Sequence, residues 1–527
     1  MMRGYRKLRK SNRLQQVNNL QRELALFNLE IDSKKFSATI MGAGRNSPEI
    51  ILRQYLLVRV GYTNFTSSLL YASANKNGRI LFPLPKKWRI KVEREGFAVN
   101  HFGSCVLWQL YLWIMFFYGA IKIYEVIIKS VISIIFSRKN TKTNSISKYS
   151  YFSDLTGANL PNININGKHY DVVSWYINWN GKPFGIKSVR HNVIGAEPSN
   201  SGKILVDFQD GPIPNFSNWL SIIKYTIWAS AAILIAMFDL VRGRWWHAFI
   251  LNQAALSGKA RFVPSNNLAR EYMFHNSTWL YRPLWTYDVA LRGSEVTLYF
   301  YPTNTEYFLT SDNYGPLYFG YKSMTWQKYL VWDTYQKDFI HRAVGSGVRI
   351  EIVGPINFNG GLTTLPKFDK PLVAVFDMTP YRASRYCLLV PEDEFHTPAF
   401  VNKFLEDIQS SLGKFNLLMA YKPKRDIGKR SHPLYRKMLS SIDQFDNVIK
   451  VDPRTSANYL IESSCAVISS PYTSTAVIAK EMGKPSVYYD PSKKLRRGDR
   501  AAHGVQIIQS ENELNEWLNN VIYKYEF

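Results

Sequence analysis

The chain predicts an α/β protein built from two Rossmann-like domains, with apolar membrane-associating helices in its N-terminal half. Three observations carry this reading. From Pro371 onward, short apolar runs alternate with amphipathic helical segments, the pattern of a doubly wound parallel sheet. A length of 527 residues exceeds what one compact core serves, so two domains with additions are expected. Two long runs, Cys105 to Phe136 and Trp219 to Leu240, are almost free of charge.

In the last third, the predicted strands are Pro371 to Asp377, Phe415 to Tyr421, Asn447 to Asp452, Cys465 to Ser470, Pro485 to Asp490 and Gly504 to Gln509. The helices between and after them cover Phe400 to Leu412, the surroundings of Leu434 to Ile442, Ser456 to Ser464, about Ser474 to Met482, and Glu511 to Ile522. Upstream, strands are expected at Asp171 to Asn178, Lys203 to Phe208, Glu295 to Tyr301 and Arg349 to Val353, with a helix over Trp326 to Ala343. Gly354 to Lys370, rich in Gly, Pro, Asn and Thr, reads as the linker. The first 103 residues are basic and weakly patterned, with a helix expected over Gln15 to Leu29 and a strand over Ile51 to Val60.

The first apolar run carries no charge up to Ile121, then Lys122, Glu125 and Lys129 on one helical face. The second is interrupted by Lys224 and followed by Arg242, Arg244, Trp245 and Trp246. Either is long enough to cross about 30 Å of hydrocarbon. If both crossed, the strands between them would be cut off from the rest, so monotopic or re-entrant insertion with basic flanks at an anionic surface is the expectation; two buried core helices are the plainer alternative.

Composition narrows the classes. Apolar residues make up 46%, enough for a packed core, and aromatics 15%, which suits core, a membrane interface or a sugar cleft. A net charge of +26 calls for an anionic partner. Cys105, Cys387 and Cys465 are scattered, giving no disulfide framework or metal spacing, as in a reducing cytoplasm. The basic start MMRGYRKLRKSNR is not followed by an apolar core, so no cleavable signal peptide is read. No Gly-x-Gly-x-x-Gly, Asp-x-Asp or His/Cys cluster is present, so neither a dinucleotide cofactor nor a metal is expected, and no nucleic-acid motif is found.

The most informative stretch is Ser469 to Pro491: a buried strand, a hydroxyl-rich turn, a helix, a Gly stop and a second strand. Ser469, Ser470, Thr473, Ser474 and Thr475 place hydroxyls and free N–H groups where a helix begins, a place that favours anions. Beyond a parallel strand, that turn lies on the ligand-binding edge of the sheet; ordinary capping accounts for the same residues. The second element is Tyr421 to Lys437, where Lys422, Lys424, Arg425, Lys429, Arg430, His432, Arg436 and Lys437 follow another strand end. Facing the hydroxyl turn, it would clamp a phosphate; alone, it is a solvated basic loop. Acid–base candidates come from the N-terminal half: Asp210 after a predicted strand, and Glu271 with His275, four apart and on one face if helical. Arg190 and His191 are a further pair. Asn276 to Tyr287 reads as cleft lining or core.

The run Pro471, Tyr472, Thr473, Ser474, Thr475, Ala476, then Lys480, Glu481, Gly483, Lys484, Pro485, Asp490 and Pro491 resembles the signature of bacterial surface-polysaccharide proteins named for a Pro-Phe-Thr-Ser motif, with Tyr472 in place of Phe. The resemblance extends from about Tyr149 to the C-terminus and implies a metal-independent glycosyltransferase of the two-Rossmann (GT-B) type. It implies residues 143–356 as the acceptor-side domain, with an apolar insertion at 219–241, and residues 371–527 as the nucleotide-sugar domain; 1–103 is the basic region and 104–142 the membrane-associating helix. Glu481 joins the nucleotide-sugar residues by this resemblance. The pair His432 and Pro433 resembles the His-Pro motif of transferases that use CMP-activated nonulosonic acids and Kdo (3-deoxy-D-manno-octulosonic acid), which implies that His432 stabilises the departing CMP phosphate. Asp210 loosely resembles the acidic-acidic-Gly motif of bacterial sialyltransferases, with Gln209 in the first acidic place. The implied partners are a nucleotide-sugar donor, a lipid-linked glycan acceptor and an anionic membrane at the cytoplasmic face of the bacterial inner membrane. A nucleotide-sugar epimerase and a non-enzymatic basic membrane-binding protein are the alternatives.

Overall fold

The structure is a computed structural model. It describes all residues except 1, 12, 14–15, 18–19, 21–22, 25–47, 58–62, 138–147, 162–169, 202, 275–280, 304, 307–313, 315–316, 318, 357–359, 381–394, 396, 424–427, 429–430, 472 and 526–527. Two parallel sheets organise the chain, as expected. The first has eight strands in the order β3-β4-β2-β1-β5-β6-β7-β8: β1 Tyr149–Ser153, β2 Ser188–His191, β3 Ser199–Ser201, β4 Ile204–Phe208, β5 Glu271–Phe274, β6 Glu295–Tyr299, β7 Lys328–Val331 and β8 Arg349–Ile352. Only β3, a hairpin partner of β4 at the edge, runs antiparallel. The second sheet, β11-β10-β9-β12-β13-β14, comprises β9 Leu372–Phe376, β10 Leu418–Tyr421, β11 Val448–Lys450, β12 Ala466–Ser469, β13 Ser486–Tyr489 and β14 Gln506–Ile508. Counting within this half, the order is 3-2-1-4-5-6, so the switch point lies between β9 and β12. Such a sheet binds ligands outside its strand ends at that point.

Several local expectations are corrected. Asp171 to Asn178 is not a strand: Val172–Asn178 is helical because Asp171 caps it, its carboxylate accepting from the Ser174 N–H at 2.7 Å. The strand expected over Ile51 to Val60 is helical up to Leu56, as part of the helix Pro48–Leu56, and residues 58–60 lie outside the described residues. The helix expected over Trp326 to Ala343 divides into β7 and the helix Thr334–Val344, whose start is fixed by Asp333 as N-cap. The helix expected over Gln15 to Leu29 falls largely outside the described residues.

The first apolar run forms one helix, His101–Ser137, and the second the helix Trp219–Val241. Both pack against a third, Trp246–Phe262, which is largely buried. Gly119 permits the crossing: a Cβ there would lie 2.6 Å from the Leu251 side chain and 2.8 Å from the Asn252 nitrogen. Among the described residues, Trp219–Val241 is the one helix long and apolar enough to cross a membrane by length and composition. The basic N-terminal region is integral to this layer. Leu8, Leu52, Phe65 and Trp88 share one core with Leu112 and Phe249 of the helices and with Tyr272 and Tyr329 of the sheet. Many of the aromatic residues are therefore packing, with Trp88, Trp285, Tyr287 and Trp326 all buried. A second core runs without a break from Phe152 and Tyr299 of the first sheet to Val373, Phe404 and Tyr488 of the second half.

Candidate functional site

The C-terminal strand ends of the two sheets face each other across a cleft of about 990 Å³. The second sheet contributes Asp377 after β9, Lys422 after β10, Arg454 to Asn458 after β11, and Thr473, Ser474 and Thr475 after β12. The first contributes Gly157, His191, Glu197, Ser199, Tyr301 and Trp332. The linker passes between them through Gly360, Gly361 and Leu362. The Leu362 N–H donates to the Arg454 carbonyl at 3.0 Å, and the Ser456 N–H donates to the Leu362 carbonyl at 2.9 Å. Gly361 is required there, because a Cβ would stand 2.6 Å from the Arg454 carbonyl oxygen.

The hydroxyl turn is held from below. The Thr473 hydroxyl donates to the Ser470 carbonyl at 2.8 Å, the hydroxyls of Ser469 and Thr475 lie 2.9 Å apart, and the Tyr488 hydroxyl donates to the Thr473 carbonyl at 2.6 Å. Ser474 occupies the N-cap of the helix Thr475–Glu481 but makes no side-chain cap bond, so its hydroxyl is left for the cleft. Ser469 and Ser470 are fully buried beneath the turn and support it; neither lines the cleft. Asp490 is also structural, its carboxylate accepting from the N–H groups of Ser492, Lys494 and Leu495. Lys480 donates to the His503 carbonyl at 2.8 Å. The His503 ring in turn bridges to the other half, with Nδ1 2.7 Å from Asp333 and Nε2 3.0 Å from the Thr303 carbonyl. Part of the signature therefore fixes how the two halves meet.

Among the described residues of the basic loop, Lys422 is the cation that lines the cleft. It is 8% exposed, and burial lowers its pKa, partly countered by Asp452. Its ammonium has no hydrogen-bond partner among the described residues. Beside it, Asp377 accepts from the Tyr421 and Tyr435 hydroxyls at 2.9 and 2.5 Å. Both phenol pKa values are raised, by burial first and by Asp377 second. His432 takes a different place from the one the His-Pro resemblance implies. It caps the helix Pro433–Ile442, its Nδ1 accepting the Leu434 N–H at 3.2 Å, and neither it nor Pro433 is among the lining residues. Lys424 lies outside the described residues, and Glu481 stands at the far end of its helix, 3.7 Å from Lys480.

Asp210 and Glu271, two of the expected acid–base residues, do not converge. Asp210 is on the outer surface, its side chain 60% exposed and 3.0 Å from Lys129 of the long helix, an ion pair that contributes about 0–1 kcal/mol. Glu271 starts β5, at the opposite end of the strands from the cleft. It is fully buried and accepts from the Tyr176 and Thr297 hydroxyls at 2.6 and 2.8 Å, and burial raises its pKa. That is a structural carboxyl on a strand, not one member of a helical pair. His275 lies outside the described residues. Arg190 stacks on Tyr149 with its guanidinium carbon 4.1 Å from the ring centroid and donates to Gln209 at 3.0 Å. His191, expected with Arg190 as a further pair, does line the cleft, while Asp377, Arg454 and Glu197 were missed. Asp377 was findable, since it ends the first strand of the six-stranded half; Glu197 gave no local signal.

The chain belongs to the family of polysaccharide biosynthesis PFTS motif proteins, whose profile matches residues 228–518, more than half of its length. No curated protein matches it. Among solved structures it is similar to TarM, at 12% identity and a TM-score of 0.30, over 52% of this chain and 52% of that one. The chain thus spans about half the length of TarM. It is also similar to the wall teichoic acid polymerase TagF, at 12% identity and a TM-score of 0.37, over 77% and 91% of the two chains. A third is the UDP-GlcNAc 2-epimerase of Neisseria meningitidis, at 10% identity and a TM-score of 0.32, over 72% and 92%. At these distances none of them lends this chain a substrate.

Proposed function

We propose that this protein is a glycosyltransferase of surface-polysaccharide biosynthesis, moving a sugar from a nucleotide donor onto a lipid-linked glycan. The observation that carries the reading is the pairing, at the switch point, of the Lys422 ammonium, which has no hydrogen-bond partner among the described residues, with the Ser474 hydroxyl and the N–H groups of the turn that follows β12. A cation and preorganised donors in a half-buried cleft offset the charge of a departing phosphate without reorganising during the reaction. Family membership supplies the glycan context. For the donor we favour CMP-Kdo or a related ulosonic acid. The six-stranded half holds the donor and the eight-stranded half the acceptor.

The same reading places the protein on the cytoplasmic face of the inner membrane. Phe102, Leu110, Ile114, Ile121, Ile128 and Ile135 face outward along the long helix, while its other side packs on protein. Leu220, Ile227, Leu234 and Val241 do the same on Trp219–Val241. At 1.5 Å per residue the first stripe runs for about 50 Å, well beyond a hydrocarbon core of about 30 Å. A one-sided stripe of that length suits a helix lying in the interface, with Arg242 and Arg244 toward anionic headgroups.

Purified protein incubated with CMP-Kdo, UDP sugars and a bacterial membrane lipid extract should transfer one sugar, seen as a mass increase of the lipid-linked glycan. If no nucleotide sugar is consumed, or if the donor sugar is isomerised without any acceptor, the proposal fails.

A further inference from the structure

Resting on the transferase reading, we propose that Glu197 is the general base that takes the proton of the acceptor hydroxyl, and that His191 positions that acceptor by donating a hydrogen bond from Nε2. The titratable groups of the cleft divide by wall. Lys422, Arg454 and Asp377 stand on the six-stranded half, and Asp377 is already committed to two phenol donors. The opposite wall carries His191, Glu197 and Tyr301.

His191 is buried at the end of β2, and its Nδ1 accepts the Val193 N–H at 3.2 Å. A neutral ring so engaged carries its proton on Nε2. Burial lowers its pKa, with Asp207 opposing, which disfavours the imidazolium. With its one lone pair already given to a backbone N–H, this ring donates and does not accept a proton. Glu197 lies on the loop of residues 192–198 between β2 and β3, is exposed where it lines the cleft, and makes no hydrogen bond or ion pair among the described residues. Among the described residues lining the cleft, it is the one carboxylate of the eight-stranded half.

The step balances. The acceptor oxygen forms a bond to the anomeric carbon while its proton passes to the Glu197 carboxylate. The bond between the anomeric carbon and the phosphate oxygen breaks, and its electron pair leaves with the nucleotide, whose added negative charge the Lys422 ammonium offsets. The Glu197 proton then returns to solvent.

The test uses full-length Glu197→Ala and Glu197→Gln with CMP-Kdo, and with UDP-N-acetylglucosamine in parallel, in the presence of the lipid extract; nucleotide release is followed and donor affinity is measured by calorimetry. Donor affinity should stay within about twofold while kcat falls about 10²–10⁴-fold. Formate should restore turnover in Glu197→Ala and not in Glu197→Gln. His191→Ala should raise the acceptor KM more than it lowers kcat, and His191→Gln should recover part of the loss. Wild-type turnover in either Glu197 variant, or a loss that formate leaves unchanged, overturns the assignment. A wild-type protein that binds neither nucleotide sugar would sink the underlying transferase reading instead.

Discussion

Lys422→Ala should lower kcat/KM for the nucleotide-sugar donor by about 10²–10³-fold, the range found when a single preorganised electrostatic donor is removed. The size follows from position. Lys422 follows the strand beside β9, lines the cleft, and spends its charge on no described hydrogen-bond partner. Arg454, by contrast, already holds Asp452 at 2.7 Å, so its removal should cost less. The pH dependence has a definite sign. Burial lowers the Lys422 pKa, so in the empty protein the ammonium is lost at a lower pH than on an exposed lysine. Donor binding should therefore weaken as pH rises through that lowered value, below the ordinary lysine range. Stability moves the other way: the charged form is the one that burial penalises, so the cost is present at low pH and is relieved as pH rises toward the unfolded-state value. Lys422→Arg keeps its charge throughout and should remove the alkaline fall in binding, though with altered geometry. Calorimetric titration with CMP and UDP across pH 7 to 10 reads the wild type and both variants.

The second large effect is expected at the outer face. Ile121→Glu with Ile128→Glu places two carboxylates in the stripe of the long helix, at side chains 63% and 57% exposed. Neither supports the core, so folding should be unchanged, as far-UV circular dichroism and thermal unfolding would register. Binding to vesicles containing anionic lipid should fall by roughly 100-fold or more, since taking two Ile side chains out of lipid would cost on the order of 3–5 kcal/mol. Arg242→Ala with Arg244→Ala should cause a smaller loss that vanishes at high salt. Unchanged vesicle binding in the isoleucine pair would turn these helices into core elements covered by something other than lipid.

How much of this was legible depends on how locally each feature is encoded. The six-stranded half was readable because its strands, such as Leu372–Phe376 and Ala466–Ser469, are buried on both faces and therefore appear as unbroken apolar runs. In the eight-stranded half β4, β6 and β8 were expected, whereas other strands lay hidden in polar or aromatic sequence. YSYFS, SVRH and KYLV form β1, β2 and β7 because tyrosines and serines there find partners inside the protein; Ser150 and Tyr176, for example, lie 2.6 Å apart at their hydroxyls. The run VVSWYIN misled in the other direction, since β-branched and aromatic residues favour strands until Asp171 caps them into a helix. In the cleft, Lys422, Thr473, Ser474 and Thr475 were readable because a strand end is a local fact. The opposing wall was less so: His191 was named for its own chemistry and Glu197 not at all, because they share a cleft with Lys422 only where two sheets turn their strand ends toward each other, and no spacing along the chain records that. Asp210 and Glu271 had suitable chemistry in the sequence, and tertiary structure put one against Lys129 and the other under Tyr176.

The most direct measurement is an experimental structure of the protein with CMP or UDP bound. The nucleotide phosphate should sit within hydrogen-bonding distance of Lys422 Nζ and the Ser474 hydroxyl, with Glu197 on the wall across from it. A nucleotide seated elsewhere, leaving Lys422 and Ser474 without contact to it, would contradict the account.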